Sequence, residues 1–240
     1  MPRARIIEHL TRPKPTLFVS LPTNSAELAQ AAIEGGADGL KVHINVHHEA
    51  SGTHFGSYAE EAPRLEQIVC VAAGLPVGIV PGAEQMASED DLRALAALGI
   101  DFFDAYAHHI PAWMVGRREL DMAAMVALGA GHDWTDAIAV GVDLAAGNGG
   151  WVDAIEASVI PHEGYGQPLT ALDVARYARL CRTVRVPVML PTQRRVRPDE
   201  VSVLAEAGMS ALLIGAVVTG REAATIRQAT AEFRAALNAL

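Results

Sequence analysis

Along this chain an Ala/Leu-rich amphipathic stretch repeatedly meets a glycine and passes at once into a short apolar run. The junctions are Gly35-Gly36-Ala37-Asp38, Gly74-Leu75-Pro76, Gly99-Ile100-Asp101 and Gly208-Met209-Ser210. Glycine just past a helix supplies the left-handed residue that ends it. A helix between successive strands carries the chain back, so the strands it joins lie parallel. The apolar runs read as strands over Leu17–Leu21, Gly39–Val46, Val77–Pro81, Phe102–Ala107, Ile138–Leu144, Ala154–Ile160, Val188–Pro191 and Ala211–Ala216. Helices are expected over Ser25–Glu34, Ala62–Ala73, Glu89–Leu98, Pro111–Leu128, Leu172–Thr183, Pro198–Ala207 and Arg221–Leu237. The fifth crossover, Ala145–Gly150, is glycine-rich and too short for a full helix. This alternation, with no linker or break in composition, predicts an α/β chain with one domain over residues 1–240, a single (β/α)8 TIM barrel. A doubly wound open sheet would carry a glycine fingerprint after its first strand; Thr23-Asn24 stands there instead.

Composition agrees with a large core: 50% of residues are hydrophobic and 20% charged. The net charge of -9 argues against a nucleic-acid partner. No apolar run approaches a membrane span and the N-terminus lacks a signal-peptide core, so a cytoplasmic location is expected. Cys70 and Cys181 sit inside amphipathic patterns and read as buried thiols in a reducing compartment. Apolar positions on the outer helices are compatible with a homo-oligomer.

Leu40-Lys41-Val42-His43-Ile44-Asn45-Val46 is where chemistry enters. With a period of two, Val42, Ile44 and Val46 share one face and Lys41, His43 and Asn45 the other. A strand of a parallel sheet is buried on both faces and should be apolar throughout. An unpaired buried ammonium costs several kcal/mol or changes its pKa. The polar face therefore has to look into a barrel whose strand ends open onto a site. The same parity sends Ser20 inward from the first strand, Asp104, Tyr106 and His108 from the fourth, and Glu156 and Ser158 from the sixth; Asp143 ends the fifth. Replacing such groups by aliphatics is often neutral or stabilising, so several strands with polar faces argue for a site over a structural ion pair.

His47-His48-Glu49-Ala50-Ser51-Gly52-Thr53-His54-Phe55-Gly56-Ser57 is long for a strand-to-helix loop and reads as a lid over the same face. Glu84, after the third strand, reaches the same mouth. His43, His108, Asp104, Glu84 and Glu156 are donor types for a divalent metal, but Lys41 in the same layer would repel a cation, so no cofactor is expected.

The last third reads Pro187-Val-Met-Leu-Pro-Thr-Gln-Arg-Arg-Val-Arg-Pro-Asp-Glu200, then Leu204-Ala-Glu-Ala-Gly208, then Ala211-Leu-Leu-Ile-Gly-Ala-Val-Val-Thr-Gly220. With Gly35-Gly36-Ala37-Asp38-Gly39 and Leu75-Pro76-Val77-Gly78-Ile79, it resembles the ribulose-phosphate-binding barrel superfamily. The nearest likeness is to N-acetylmannosamine-6-phosphate 2-epimerases. The resemblance implies a phosphate site and a small phosphorylated metabolite as partner. Physical chemistry places that site at the backbone N–H groups of Gly215 and Ala216, with Arg194, Arg195 and Arg197 adding charge-assisted bonds. The reactive Lys of those epimerases, after their third strand, is not matched in Val80-Pro81-Gly82-Ala83-Glu84. Their acid after the seventh strand is replaced by Pro191-Thr192-Gln193.

The expected activity is that of an epimerase or isomerase working through an enolate or enediolate. Lys41 would stabilise the oxyanion, Asp104 or Glu156 would move the proton, and His43 and His108 would assist. The alternatives are a Schiff-base aldolase or lyase on Lys41 and a non-catalytic barrel that binds a phosphometabolite.

Overall fold

The computed structural model describes residues 2–130 and 150–240. Helix α1 (Pro2–Leu10) precedes β1 (Thr16–Ser20), α2 (Ala26–Glu34) and β2 (Gly39–His43). A hairpin of β3 (Val46–His48) and β4 (Thr53–Phe55) leads to α3 (Tyr58–Ala72), β5 (Val77–Val80), α4 (Glu89–Leu98), β6 (Phe102–Tyr106) and β7 (Ala123–Ala127). After β8 (Ala154–Glu156) come α5 (Ala171–Thr183), β9 (Val188–Pro191), α6 (Val201–Glu206), β10 (Ala211–Ile214), α7 (Ala216–Thr219) and α8 (Ala223–Asn238). Strands β1, β2, β5, β6, β7, β8, β9 and β10 close into a parallel barrel, β10 pairing back onto β1. This is the (β/α)8 barrel that the alternation predicts.

Period-two parity divides the interior. Leu17, Val19, Leu40, Val42, Val77, Ile79, Phe103, Val126, Ile155, Val188, Leu190, Leu212 and Ile214 join the outer core beneath the helices. Phe18, Phe102, Ala123, Met125, Ala154, Met189, Ala211 and Leu213 form a separate cluster inside the barrel, together with Ile6 and Leu10 of α1. Helix α1 thus stoppers the N-terminal end of the barrel, each of its two aliphatic side chains contributing about 1.5–3 kcal/mol by burial. Arg3 to Asp153 (2.6 Å) and Arg5 to Asp101 (2.6 Å) anchor it to the residues that precede β8 and β6.

The barrel floor is two phenyl rings, Phe18 and Phe102, meeting edge to face with centroids 6.1 Å apart. Room for them comes from missing side chains. A Cβ on Gly39 would lie 2.2 Å from the Phe18 ring, and one on Gly78 2.0 Å from Phe102. We expect Gly78→Ala to overpack this floor and cost about 1–3 kcal/mol. Denaturant unfolding should detect the loss, and Phe102→Leu in the same chain should return most of it; an unchanged midpoint for Gly78→Ala would contradict the packing described.

The fifth barrel strand is Ala123–Ala127, in the stretch expected to be the helix Pro111–Leu128. Its Ala/Met/Leu composition suits a helix, but Met122 to Leu128 are all buried, as befits a parallel strand covered on both faces. Upstream the chain makes only short 3-10 turns at Ala112–Met114 and Arg118–Leu120, with Gly116 at φ 77 between them. The fourth crossover is therefore abbreviated, where a full helix was expected. The proposed strand Ile138–Leu144, with Asp143, and most of the crossover Ala145–Gly150 lie outside the described residues. Two strands also stop early: β2 ends at His43, because Asn45 turns the chain at φ 53, and β8 ends at Glu156. Cys70, expected buried, is exposed on the face of α3 opposite Leu65, Ile68 and Ala72, and Cys181 is half-buried. No described helix is long and apolar enough to cross a membrane.

Candidate active site

Above the phenyl floor the barrel opens, at the C-terminal ends of its strands, into a cavity of about 520 Å³. Lys41, Asp104 and Glu156 come from the second, fourth and sixth barrel strands, and alternate strands of such a barrel fill a common layer. The structure brings all three together. Lys41 Nζ donates to Asp104 Oδ2 at 2.8 Å and to Glu156 Oε2, and Ser158 Oγ donates to Glu156 Oε1. All three side chains are at least 93% buried. The other strands turn Val80, Ala127, Pro191 and Leu213 toward the cavity, so the charged layer has apolar neighbours and a low local dielectric.

One ammonium faces two carboxyls, and burial tolerates only one ionised carboxylate. Burial alone would lower the Lys41 pKa; Asp104 and Glu156 outweigh it and hold the ammonium above its ordinary value. Burial and then the neighbouring Glu156 charge push Asp104 well above the usual carboxylate range, against the pull of Lys41. Burial would also raise Glu156, but Lys41 and the bonds from Asp104 and Ser158 bring it down to about 2. The layer thus favours an ammonium beside one ionised carboxylate, and a proton shared by the two carboxyls is held more tightly at Asp104 than at Glu156.

The β3–β4 hairpin roofs this layer, in the segment expected to be a lid. His43 packs against both His48 (centroids 4.4 Å apart) and Phe55 (4.8 Å), which also touch each other edge-on. Burial, His48 and Lys41 press the His43 pKa well below its ordinary value, and burial followed by Lys41 lowers His48 to about 4. Both imidazoles are neutral at pH 7. His48 is oriented by Ser51, Nδ1 to Oγ 2.8 Å. At the base of the hairpin Asn24 clasps the His43 backbone, accepting from its N–H at 3.3 Å and donating to its carbonyl at 2.7 Å. Asn24 Nδ2 also reaches Glu61 (3.1 Å).

The other expected site residues divide. Ser20, Asn45, Tyr106, Ser158 and Glu84 line the cavity. Asn45 donates to the Pro81 carbonyl at 3.3 Å, and burial raises the Tyr106 pKa. His108 lies past the end of β6, where alternation has stopped; it is exposed and outside the cavity lining, which His109 joins instead. Arg194 is not at the mouth. It is held by Asp173 (2.9 Å) and the Gly164 carbonyl (3.0 Å), and Asp173 in turn caps α5 through Thr170. Arg195 is exposed and Arg197 pairs with Asp199 at 2.9 Å. Gly215 lines the cavity, but its N–H donates to Thr192 Oγ1 (3.2 Å); Ala216 does not line it.

Sequence reasoning placed His48 only within a lid segment and missed Tyr165 and Gln193; all three line the cavity. Gln193 Nε2 donates to the Tyr165 hydroxyl at 2.7 Å, and its Oε1 accepts from the Ile160 N–H at 3.1 Å. These residues lie in loops or on the hairpin, where no period marks an inward face; position just after a strand was the only available signal. Among the described residues no group of three His, Cys, Asp or Glu side chains is placed to hold a metal ion.

No protein-family model matches the chain, and no curated protein matches it significantly. Solved structures do. Thiamine phosphate pyrophosphorylase from Pyrococcus furiosus superposes with a TM-score of 0.64 at 14% identity, covering 98% of each chain. Tryptophan synthase from M. tuberculosis gives 0.66 at 15% identity, covering 93% of each. Orotidine 5'-monophosphate decarboxylase from Methanocaldococcus jannaschii gives 0.59 at 13%, covering 94% of this chain and 99% of that one. The shared feature is the barrel. These neighbours are enzymes, but at such identities the likeness establishes the fold alone, and it lends no support to the resemblance to N-acetylmannosamine-6-phosphate 2-epimerases.

Proposed function

We propose that this protein is an enzyme that moves a proton beside the carbonyl of a small sugar-like metabolite, through an enolate or enediolate. The observation that carries this is the buried layer itself: one ammonium between two carboxyls at the floor of an open cavity. A substrate carbonyl oxygen that takes a hydrogen bond from Lys41 displaces Glu156 from it. Glu156 then loses its cation, becomes more basic and removes the carbon-bound proton, while the ammonium stabilises the developing oxyanion. Asp104 delivers its proton to the enolate. One proton is taken and one returned, and the two carboxyls exchange protonation states.

A Schiff base on Lys41 is the weaker reading, because the carboxyls favour the protonated, non-nucleophilic amine. A purely binding role is weaker too, since recognition has no need of an ammonium and two carboxyls in one buried layer. The proposal does not require a phosphate on the substrate.

The test is a panel of three- to six-carbon hydroxyaldehydes and hydroxyketones, with and without phosphate, incubated in D2O and followed by proton NMR. Exchange of a carbon-bound hydrogen next to the carbonyl is expected for at least one compound, with no borohydride-trapped adduct on Lys41. Absence of exchange across the panel between pH 6 and 9 would remove the enolate mechanism. A trapped Lys41 adduct would favour the aldolase instead.

A further inference from the structure

Three cavity-lining residues each bury a polar atom that has no hydrogen-bond partner among the described residues: Ser20 Oγ, His43 Nδ1 and Asp104 Oδ1. The residues are 95%, 99% and 98% buried. They stand on β1, β2 and β6, one continuous arc of wall, since the intervening β5 offers only Val80 there. An unsatisfied buried donor or acceptor costs about 1–3 kcal/mol, and such groups persist together where a ligand completes them. A hydroxyl is both donor and acceptor, a ring nitrogen of a neutral imidazole is one or the other, and the free carboxyl oxygen of Asp104 accepts. What complements this arc is a run of hydroxyl groups, which also give and accept.

On the opposite side, three of the groups expected to hold a phosphate are engaged within the fold. Arg194 is committed to Asp173, Arg197 to Asp199, and the Gly215 N–H to Thr192. Lys41 is the one Lys or Arg lining the cavity among the described residues, and it is already neutralised within its layer. Glu49 and Glu84 stand at the rim, where they repel a dianion.

We infer that the cavity reads the adjacent hydroxyls of an unphosphorylated polyol or hydroxy-carbonyl compound through Ser20, His43 and Asp104. This rests on the cavity being the active site proposed above and narrows its substrate to an uncharged one.

The experiment is calorimetric titration of the full chain with xylitol, sorbitol, sorbitol 6-phosphate and inorganic phosphate, for the parent, Ser20→Ala and His43→Phe. At least one alditol should bind, sorbitol 6-phosphate no tighter than sorbitol, and inorganic phosphate should not compete. Each substitution should weaken alditol binding about tenfold, the loss of one hydrogen bond. Both variants should melt no lower than the parent, because each removes a polar atom that has no partner in the fold and His43→Phe keeps the ring stack. A purely structural role would lower the melting temperature instead. No alditol binding, tighter binding of the phosphate ester, or undiminished binding by both variants would overturn the inference. Alditols have no carbonyl to enolise, so their binding is independent of turnover: binding without deuterium exchange upholds this inference and counts against the enolate chemistry alone.

Discussion

Replacing Lys41 by Met is expected to abolish deuterium exchange and to cost the fold about 3–5 kcal/mol at pH 7, the range for breaking a buried ion pair from one side. The ammonium is 93% buried between Asp104 and Glu156, and its removal leaves a carboxylate with no cation in a dry layer. The cost must depend on pH. In the parent, Glu156 is depressed to about 2, so its contribution is present above its unfolded value near 4.5 and is lost as pH falls from there toward 2. In the variant both carboxyls are raised by burial. Stability is then greatest below their unfolded values and falls as pH rises. The gap between parent and variant should therefore narrow as pH is lowered from 7 toward 4, which urea titrations at several pH values would follow. A constant gap would mean that Lys41 does not hold Glu156 ionised.

The second large effect is a failure of additivity. Because one ammonium faces two buried carboxyls, the layer has one carboxyl more than charge balance needs. Asp104→Asn leaves Lys41 paired with Glu156 and should change stability by about 1 kcal/mol or less. Glu156→Gln should be nearly as mild, since Asp104 then ionises and takes over the ammonium. Both changes together leave the ammonium unpaired, and about 3–5 kcal/mol should be lost. A double-mutant cycle on unfolding free energies should thus show coupling of about 2–3 kcal/mol. Turnover behaves differently: each single change removes a proton carrier and should lower kcat by about 100-fold or more. Additive stabilities would indicate that both carboxyls are ionised in the parent.

Much of this layer was legible because a strand's period of two is rigid. Once Val42 and Ile44 were assigned to the helices, Lys41 and His43 had no other direction to point, and the same held for Asp104 between Phe103 and Ala105. The reading failed where the period ended. His108 was placed by extending an alternation beyond Tyr106, although the chain turns directly after that residue. Arg194 looked available because a loop sequence does not reveal that a helix-capping Asp173, twenty-one residues earlier, will claim it. The fifth strand was hidden because Ala, Met and Leu favour helices in isolation, and only burial on both faces makes a strand of Ala123–Ala127. Contact between distant loops, as for Gln193 with Tyr165, has no trace in local pattern.

The stopper formed by Ile6 and Leu10 has a kinetic corollary. Closed at its base, the vessel opens among the described residues only above its strands, so departing product and arriving substrate share that passage in turn. Product that lingers must therefore obstruct the next molecule, and inhibition by it should be of the competitive kind.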